Sequence, residues 1–179
     1  MRMLGFIEKT GQGDGDRLLE AITAELKARG LVLVGVIQTN YVFDPEHRCH
    51  MDLTVLGQGP KVRISQERGR HARGCRLDPQ ALADAVAHVE TAMASGDADL
   101  LVINKFGKAE LDGSGFREVI GKALMQDLPV LTTISPGHRT AFLDYAGDLA
   151  TELPADVASV VAWCMSQQNR LIGEGLDAG

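Results

Sequence analysis

The chain has 179 residues, of which 45% are hydrophobic and 4% aromatic, and its 18 basic and 24 acidic side chains give a net charge of −6. This length suits one domain around an aliphatic core, and the composition excludes a disordered chain. No run approaches the roughly 20 apolar residues of a membrane helix, and the segment from Met1 to Lys9 lacks the features of a signal peptide. We therefore expect a cytoplasmic protein with no membrane partner. Three widely spaced cysteines also argue against a disulfide framework.

The first half of the chain predicts a strand, a helix, a second strand and a hairpin. A short apolar run ends at Ile7, and a glycine-rich loop leads into a helix whose apolar stripe ends near Leu26. The continuous run Leu31–Gln38 is typical of a strand buried on both faces, and Thr39–His50 is predicted to be a polar loop. Alternating residues around a Gly-Gln-Gly-Pro turn then predict an antiparallel hairpin over about residues 51–66.

The second half alternates helices and strands. Asp78 and Pro79 are a helix N-cap and first helical residue, and Gly96 ends that helix. The elements predicted after it are a strand at Leu100–Ile103, a loop at Asn104–Gly113, a helix at Phe116–Leu124, a strand at Val130–Ile134, a short helix at Thr140–Ala146 and a last helix from Val157. This order predicts an α/β fold with a mostly parallel sheet and an inserted antiparallel hairpin. We expect one domain over residues 1–172 and a flexible tail over residues 173–179.

The loop after the first strand is the first candidate site. Ligands of such sheets bind beyond the carboxyl ends of the strands, and a glycine-rich loop before a helix can hold phosphate through backbone N–H groups. The loop departs from the P-loop pattern G-x-x-x-x-G-K-[ST], because Thr10 replaces the first glycine and Asp16 and Arg17 follow Gly15. The candidate anion contacts here are Lys9, Thr10, Gly11, Gly13 and Gly15. A tight turn that binds nothing is the alternative.

The predicted strand Leu100–Ile103 and the residues after it resemble a motif of a known protein family. The run LLVINKFGKAEL at residues 100–111 resembles the second acidic motif of the THEP-type nucleoside triphosphatases, a branch of the P-loop NTPases. The resemblance implies a three-layer P-loop-NTPase-like fold. The segments CHMDL, RISQERG, ARGCRLD and LLVINKFGK more closely resemble a bacterial family of unassigned function that is often encoded near molybdate-transport genes. That second resemblance implies a link to molybdenum or tungsten metabolism.

Two substitutions within this motif bear on catalysis. In the family that the motif resembles, an Asp orients Mg²⁺ and a Glu activates water, whereas this chain has Asn104 and Lys105. With Asp16 in place of the P-loop lysine, all three charged positions have lost or reversed their sign. We expect Asn104, Lys105 and Lys108 to contact an anion, with Lys105 replacing the missing ammonium. An active enzyme would need another base, such as Glu8 or Glu110.

A basic segment over residues 61–76 is the second candidate anion site. It holds six basic residues against Glu67, a balance of +5 within an acidic protein. Such a segment suits a small anionic ligand better than a nucleic acid, because it lacks aromatic residues for base stacking. The candidate contacts in it are Arg63, Ser65, Gln66, Arg68, Arg73 and Arg76. A solvated basic face, or a surface that pairs with a second copy of the chain, is the alternative.

Cysteines and histidines flank the same segment. Cys49 and His50 precede the hairpin, and His71 and Cys75 follow it, so the four could converge on zinc or form a redox pair. The spacing is not that of a usual zinc motif, and solvated histidines with a buried thiol are the alternative. Cys164 lies on an apolar helix stripe and is predicted to be a core residue.

Together these features predict a P-loop-like protein that binds a nucleotide or a small oxyanion such as molybdate or tungstate and hydrolyses it poorly or not at all. Two other functions stay open at this point. One is a divergent nucleoside triphosphatase or phosphotransferase, and the other is a Cys/His metal or redox module.

Overall fold

The computed structural model describes residues 2–9, 14–44, 48–66 and 76–176. The nine strands in these ranges are β1 (Leu4–Glu8), β2 (Leu33–Asp44), β3 (Arg48–Val55), β4 (Lys61–Arg63), β5 (Ser65–Gln66), β6 (Arg76–Leu77), β7 (Leu100–Ile103), β8 (Val130–Ile134) and β9 (Ala150–Glu152). The six α-helices are α1 (Asp14–Ala28), α2 (Pro79–Met93), α3 (Lys108–Leu111), α4 (Arg117–Met125), α5 (Arg139–Ala146) and α6 (Val157–Leu176). No helix within the described ranges is long and apolar enough to cross a membrane.

The main sheet has seven strands in the order β4-β3-β2-β7-β8-β1-β9. The five strands from β2 to β9 run parallel, whereas β3 and β4 are antiparallel and extend the sheet beyond β2. Strands β5 and β6 form a separate antiparallel pair. The predicted α/β fold, with a mostly parallel sheet and an inserted hairpin, is confirmed.

Two apolar cores, one on each face of the sheet, make three layers. Leu101 and Ile103 of β7 pack with α2, α4 and α5, whereas Leu100 and Val102 pack with α1 and α6. Both sets are buried because parallel strands covered on both faces need apolar residues at every position. Strand β2 approaches β7 closely at Gly35, where a Cβ atom would lie 1.9 Å from the carbonyl oxygen of Val102.

Two local predictions were wrong, those for residues 39–50 and for the loop after β7. The predicted loop Thr39–His50 instead belongs mostly to β2 and β3, which pair far beyond the apolar run. Strand β9 and the short helix α3 lie where no element was predicted, because each is short and held by its neighbours in the fold. Helix α6 continues past Gly173 to Leu176, while the flexibility of the tail stays a prediction.

The start of α2 follows its sequence signals. The side chain of Asp78 accepts hydrogen bonds from the backbone N–H groups of Gln80 and Ala81 at 3.0 and 3.3 Å, and Pro79 is the first helical residue. This cap satisfies donors that the first helical turn leaves without a partner. It fixes the point at which the chain enters the helical layer after the basic segment.

Candidate functional site

Side chains alternate between the two faces of a strand, and at the carboxyl ends of β1, β7 and β8 this alternation places three polar side chains on the same face of the sheet. Lys9 directly follows β1, Asn104 directly follows β7, and Thr133 is the next-to-last residue of β8. Their neighbours one residue earlier or later, Ile103 and Ile134, face the opposite core. The three polar side chains therefore lie on the α1 side of the sheet, where Lys9 and Asn104 contact Asp16 in the first turns of that helix and Thr133 contacts Asn104.

Asp16 and Asn104 are the centre of this buried polar cluster. The Lys9 Nζ atom lies 2.8 Å from Asp16 Oδ1, and only 14% and 11% of the two side chains are exposed. The Asn104 amide nitrogen donates to the same oxygen at 3.0 Å and to the carbonyl oxygen of Gln38 at 3.3 Å. The hydroxyl of Thr133 donates to Asn104 Oδ1 at 3.1 Å. Asn104 is fully buried, and both ends of its amide are engaged.

Lys105 lies beside this cluster and remains solvent-exposed. The surrounding protein displaces enough water to lower the pKa of Lys105, and the charge of Lys9 lowers it further, whereas Asp16 and Glu110 act in the opposite direction. Lys105 makes no ion pair with any residue in the described ranges. The site thus contains the ammonium groups of Lys9 and Lys105, and the charge of Lys9 disfavours that of Lys105. The Asp16 carboxylate forms its ion pair with Lys9.

Glu110 holds the turn that follows Lys105. Its carboxylate is buried and accepts hydrogen bonds from the backbone N–H groups of Gly107 at 2.8 Å and Phe116 at 3.1 Å. A Cβ atom at Gly115 would lie 2.3 Å from Glu110 Oε1, so the carboxylate fills the space beside that glycine. Burial raises the pKa of Glu110, while the two backbone donors lower it. This carboxylate fixes the backbone around α3 and is not free to act on a ligand.

Glu8 is also engaged, on the other face of the sheet. One guanidinium nitrogen of Arg139 lies 2.6 Å from Glu8 Oε2, and the other lies 2.6 Å from Glu152 Oε2. The guanidinium group also lies 5.6 Å from the centre of the Phe6 ring. Both carboxylates that the sequence offered as alternative bases are therefore tied to other groups.

The hairpin candidates make contacts of their own. Arg63 pairs with the buried Asp52 through its Nε atom at 2.9 Å. The Ser65 hydroxyl oxygen accepts the backbone N–H of Met51 at 3.1 Å and is buried, whereas Gln66 is exposed. Lys108 forms an exposed ion pair with Asp112 at 2.6 Å. None of these contacts joins the hairpin residues to the cluster around Asp16.

Several predicted site residues lie outside the described ranges. Thr10, Gly11, Gly13, Arg68, His71, Arg73 and Cys75 are in those gaps, and the side chains of Cys49 and Arg76 are not described either. Gly15 lies in the first turn of α1, and His50 is a partly buried residue of β3. Within the described parts of the chain, no three His, Cys, Asp or Glu side chains converge as a metal site would require. The zinc and redox hypotheses stay predictions.

Cys164 is a core residue, as its helical position predicted. It is 1% exposed on α6, and burial raises the pKa of its thiol to about 12. A thiol in this environment is inert at neutral pH, because the thiolate is the reactive form.

Sequence analysis missed two members of the buried cluster. Thr133 lies in a strand that was identified from its apolar residues, and Gln38 was regarded only as the end of a buried run. The sequence gives a signal for Thr133, a polar residue in a short buried strand, but none for Gln38, which joins the cluster through its backbone carbonyl. Asp16 was predicted only as the replacement of the P-loop lysine. The sequence does not show that Lys9 forms an ion pair with it.

The chain was compared with known proteins. A family model described as "Protein of unknown function (DUF2478)" matches residues 4–163. A curated relative, the molybdenum import ATP-binding protein ModC 2 of Bradyrhizobium diazoefficiens, is 32% identical over 160 residues, which are 89% of this chain and 18% of the relative. The chain thus spans less than a fifth of the relative's length. No solved structure matches.

Proposed function

The chain belongs to the DUF2478 family, and we propose that it is a P-loop-like protein that binds the phosphate of a nucleotide, or a small oxyanion, at the carboxyl edge of its sheet. The ligand lies beside the ammonium group of Lys105, near the start of α1. Lys9 and the start of α1 form the floor of the site. The bound anion is hydrolysed poorly or not at all.

An ammonium group without an ion-pair partner among the described residues is the observation that carries the proposal. Lys9 has a carboxylate partner at 2.8 Å, whereas Lys105 has none among the described residues and has its pKa lowered by burial and by Lys9. Two ammonium groups held close together repel unless an anion lies between them. The N-terminus of α1 adds the partial positive charge of a helix start, whose first N–H groups have no partner within the helix. An oxyanion supplies the charge and the acceptors that this edge lacks.

Poor hydrolysis is expected because the polar side chains that could bind Mg²⁺ or activate water already make other contacts. Asn104 carries no charge, and its oxygen already accepts the Thr133 hydroxyl, so it is a poor ligand for Mg²⁺. Glu110 and Glu8 are held by backbone N–H groups and by Arg139. Both oxygens of Glu110 accept backbone N–H groups, and Glu8 pairs with Arg139 on the opposite face of the sheet, so neither carboxylate is placed to activate a water at this site.

Similarity to the curated relative supports nucleotide binding and a role connected with molybdenum. Its name assigns ATP binding and molybdenum import to that protein, and the similarity covers most of this chain but a small part of the relative. We propose that this chain acts in molybdenum or tungsten metabolism as a binding module. The ligand candidates to test are nucleotides, phosphate, molybdate and tungstate.

A thermal-shift series tests the proposal. ATP, GTP, AMP, phosphate, molybdate and tungstate are each added with and without Mg²⁺ to the wild-type chain and to Lys105→Ala. A ligand at about 100 times its dissociation constant adds roughly 2.7 kcal/mol, which raises the midpoint of a domain this size by roughly 5–10 °C. We expect at least one of these anions to give such a shift and Lys105→Ala to reduce it.

Lys27→Ala is the matched control. Lys27 is an exposed lysine in the last turn of α1, roughly 20 Å along the helix from its first residue at 1.5 Å per residue. The variant removes the same charge and should keep the full shift. An equal loss in both variants, or no shift with any anion, would contradict the proposed site. Mg²⁺-dependent phosphate release at an ordinary enzymatic rate would contradict poor hydrolysis.

A further inference from the structure

The side chains of Lys105 and Glu110 lie against the same turn of the chain. A Cβ atom at Gly107 would lie 3.8 Å from Lys105 Cε, 3.9 Å from Lys105 Cγ and 3.8 Å from Glu110 Oε2. Glu110 is 4% exposed, whereas Lys105 is exposed to solvent. The aliphatic stem of Lys105 therefore passes over the turn on the side where the buried carboxylate lies.

Hydrogen bonds hold this turn on both sides of Phe106. The Phe106 N–H donates to the carbonyl oxygen of Thr133 at 3.0 Å, and the Gly107 N–H donates to Glu110 Oε2 at 2.8 Å. The other oxygen of the carboxylate accepts the N–H of Phe116 at 3.1 Å, directly before α4. Glu110 thus joins the turn after Lys105 to the start of a helix, and the turn cannot move away without leaving a buried acceptor unsatisfied.

Glu110 also brings a negative charge close to Lys105. The carboxylates of Glu110 and Asp16 both favour the charged form of Lys105, whereas Lys9 disfavours it. Asp16 forms an ion pair with Lys9 at 2.8 Å, so these two opposite charges largely cancel at Lys105. Both oxygens of Glu110 accept hydrogen bonds, as in an ionised carboxylate, and both donors are neutral backbone groups. The charge of Glu110 is therefore not cancelled by an ion pair of its own within the described ranges.

We infer that Glu110 is the positioning residue of the proposed anion site, which fixes the place of Lys105 through the Gly107 turn and keeps its ammonium group charged. This inference rests on the proposed function and names the residue that prepares Lys105 for the anion. Glu110 acts through Lys105 and does not touch the ligand. Simple attraction makes the opposite prediction, because the loss of a negative charge near the site would by itself tighten anion binding.

Two substitutions separate the charge of this carboxylate from its position. Glu110→Gln removes the charge and keeps the length of the side chain. Gly115→Ala keeps the charge and displaces the carboxylate, because a Cβ atom at Gly115 would lie 2.3 Å from Glu110 Oε1. The matched control is Glu118→Gln, which removes the same charge from an exposed side chain in the first turn of α4.

Two measurements are made on the wild type and on the three variants. The pKa of Lys105 is followed by NMR in the free proteins, and phosphate and ATP are titrated calorimetrically at pH 8.0. We expect Glu110→Gln to lower the pKa of Lys105 below its wild-type value and to weaken anion binding roughly fivefold or more. Gly115→Ala should also shift this pKa and weaken binding, and Glu118→Gln should change neither quantity.

The inference and the proposed function fail on different outcomes. An unchanged pKa of Lys105 in Glu110→Gln would overturn the inference even if binding weakened, because Glu110 would then support only the fold. Unchanged or tighter anion binding in that variant would also overturn it and would leave the anion site in place. If circular dichroism shows that Glu110→Gln is unfolded, Gly115→Ala decides, and wild-type values of both quantities in that variant overturn the inference. Failure of the wild type to bind either phosphate or ATP would overturn the proposed function itself.

Discussion

Glu8 and Lys9 are neighbours in the chain, but they take part in two very different charge clusters. On one face of the sheet, Arg139 bridges Glu8 and Glu152, whose side chains are 26% and 53% exposed. On the other face, Lys9 and Asp16 form an ion pair with 14% and 11% of their side chains exposed, and Lys105 lies nearby. The first cluster has two carboxylates paired with one cation, whereas in the second Asp16 pairs with Lys9, and Lys105 has no ion-pair partner among the described residues.

The difference lies in what can neutralise each cluster. Water screens the excess negative charge of the exposed cluster at little cost. In the second cluster, Lys9 and Asp16 are mostly shielded from water, and the solvent-exposed Lys105 has its pKa lowered by partial desolvation and by the charge of Lys9. The attraction of an anion to these ammonium groups is therefore screened less than its attraction to a fully exposed group of charges. Substitutions that add or remove a charge in one of the two clusters test this comparison.

The largest effect is expected from Asn104→Asp, which removes the charge imbalance of the buried cluster. The amide nitrogen is lost as a donor to Asp16 and to the Gln38 carbonyl, and a second carboxylate faces Asp16 at about the same distance. Chemical denaturation at pH 7 should show a loss of about 4 kcal/mol in unfolding free energy.

The pH dependence of Asn104→Asp identifies the cause of that loss. Repulsion raises the pKa of one of the two facing carboxyl groups above its unfolded value. The destabilisation is therefore present above this raised pKa and is relieved as the pH falls through it. The difference from wild type should shrink between pH 7 and pH 5. A constant difference would show that the lost hydrogen bonds alone are responsible.

Lys9→Met and Arg139→Met compare the two clusters directly. Lys9→Met leaves the Asp16 carboxylate buried with the Asn104 amide as its one hydrogen-bond donor among the described residues, and we expect it to lower the unfolding free energy by about 3 kcal/mol. Arg139→Met frees two carboxylates that can be hydrated, so it should cost much less stability than Lys9→Met. Equal costs in urea denaturation would contradict the contrast in burial.

Glu110→Gln tests the anchor beneath Lys105. Both carboxylate oxygens accept backbone N–H groups, so the amide must turn its nitrogen towards one of them, at a cost of about 2 kcal/mol. The raised pKa of Glu110 means that the folded protein holds this proton more tightly than the unfolded chain does, so its contribution to stability falls as the pH rises through that window. Glu110→Gln should remove this slope from stability measured against pH. The exposed Glu118→Gln is the control and should change neither quantity.

The sequence predicts the frame of the fold better than the details of the site. Continuous apolar runs such as Leu100–Ile103 locate the buried strands, because a strand that is covered on both faces needs such residues. The segment Thr39–His50 was misassigned, since a strand pair at the edge of a sheet can be polar and depends on partners that are distant in sequence. The contact of Lys9 with Asp16 likewise depends on how the glycine-rich loop returns to α1, and local pattern does not determine that path.

Lys105→Met should give a small effect of the opposite sign. Because the folded protein lowers the pKa of Lys105, the charged side chain is less favourable there than in the unfolded chain. Its removal should raise the unfolding free energy at pH 7 by a few tenths of a kcal/mol, since exposure to solvent limits the effect. Lys27→Met, in an exposed position of α1, should leave stability unchanged. A loss of stability in Lys105→Met would mean that its stem contributes more by packing than its charge costs.

The pKa of Lys105, followed by NMR of its side-chain ammonium with and without saturating phosphate, tests the central claim most directly. In the free protein we predict a value below the ordinary 10.5, because burial and Lys9 disfavour the charge. A bound anion beside the ammonium stabilises the charged form, so phosphate should raise the pKa. If phosphate binds and the pKa of Lys105 does not change, the anion lies elsewhere and the proposed site is wrong.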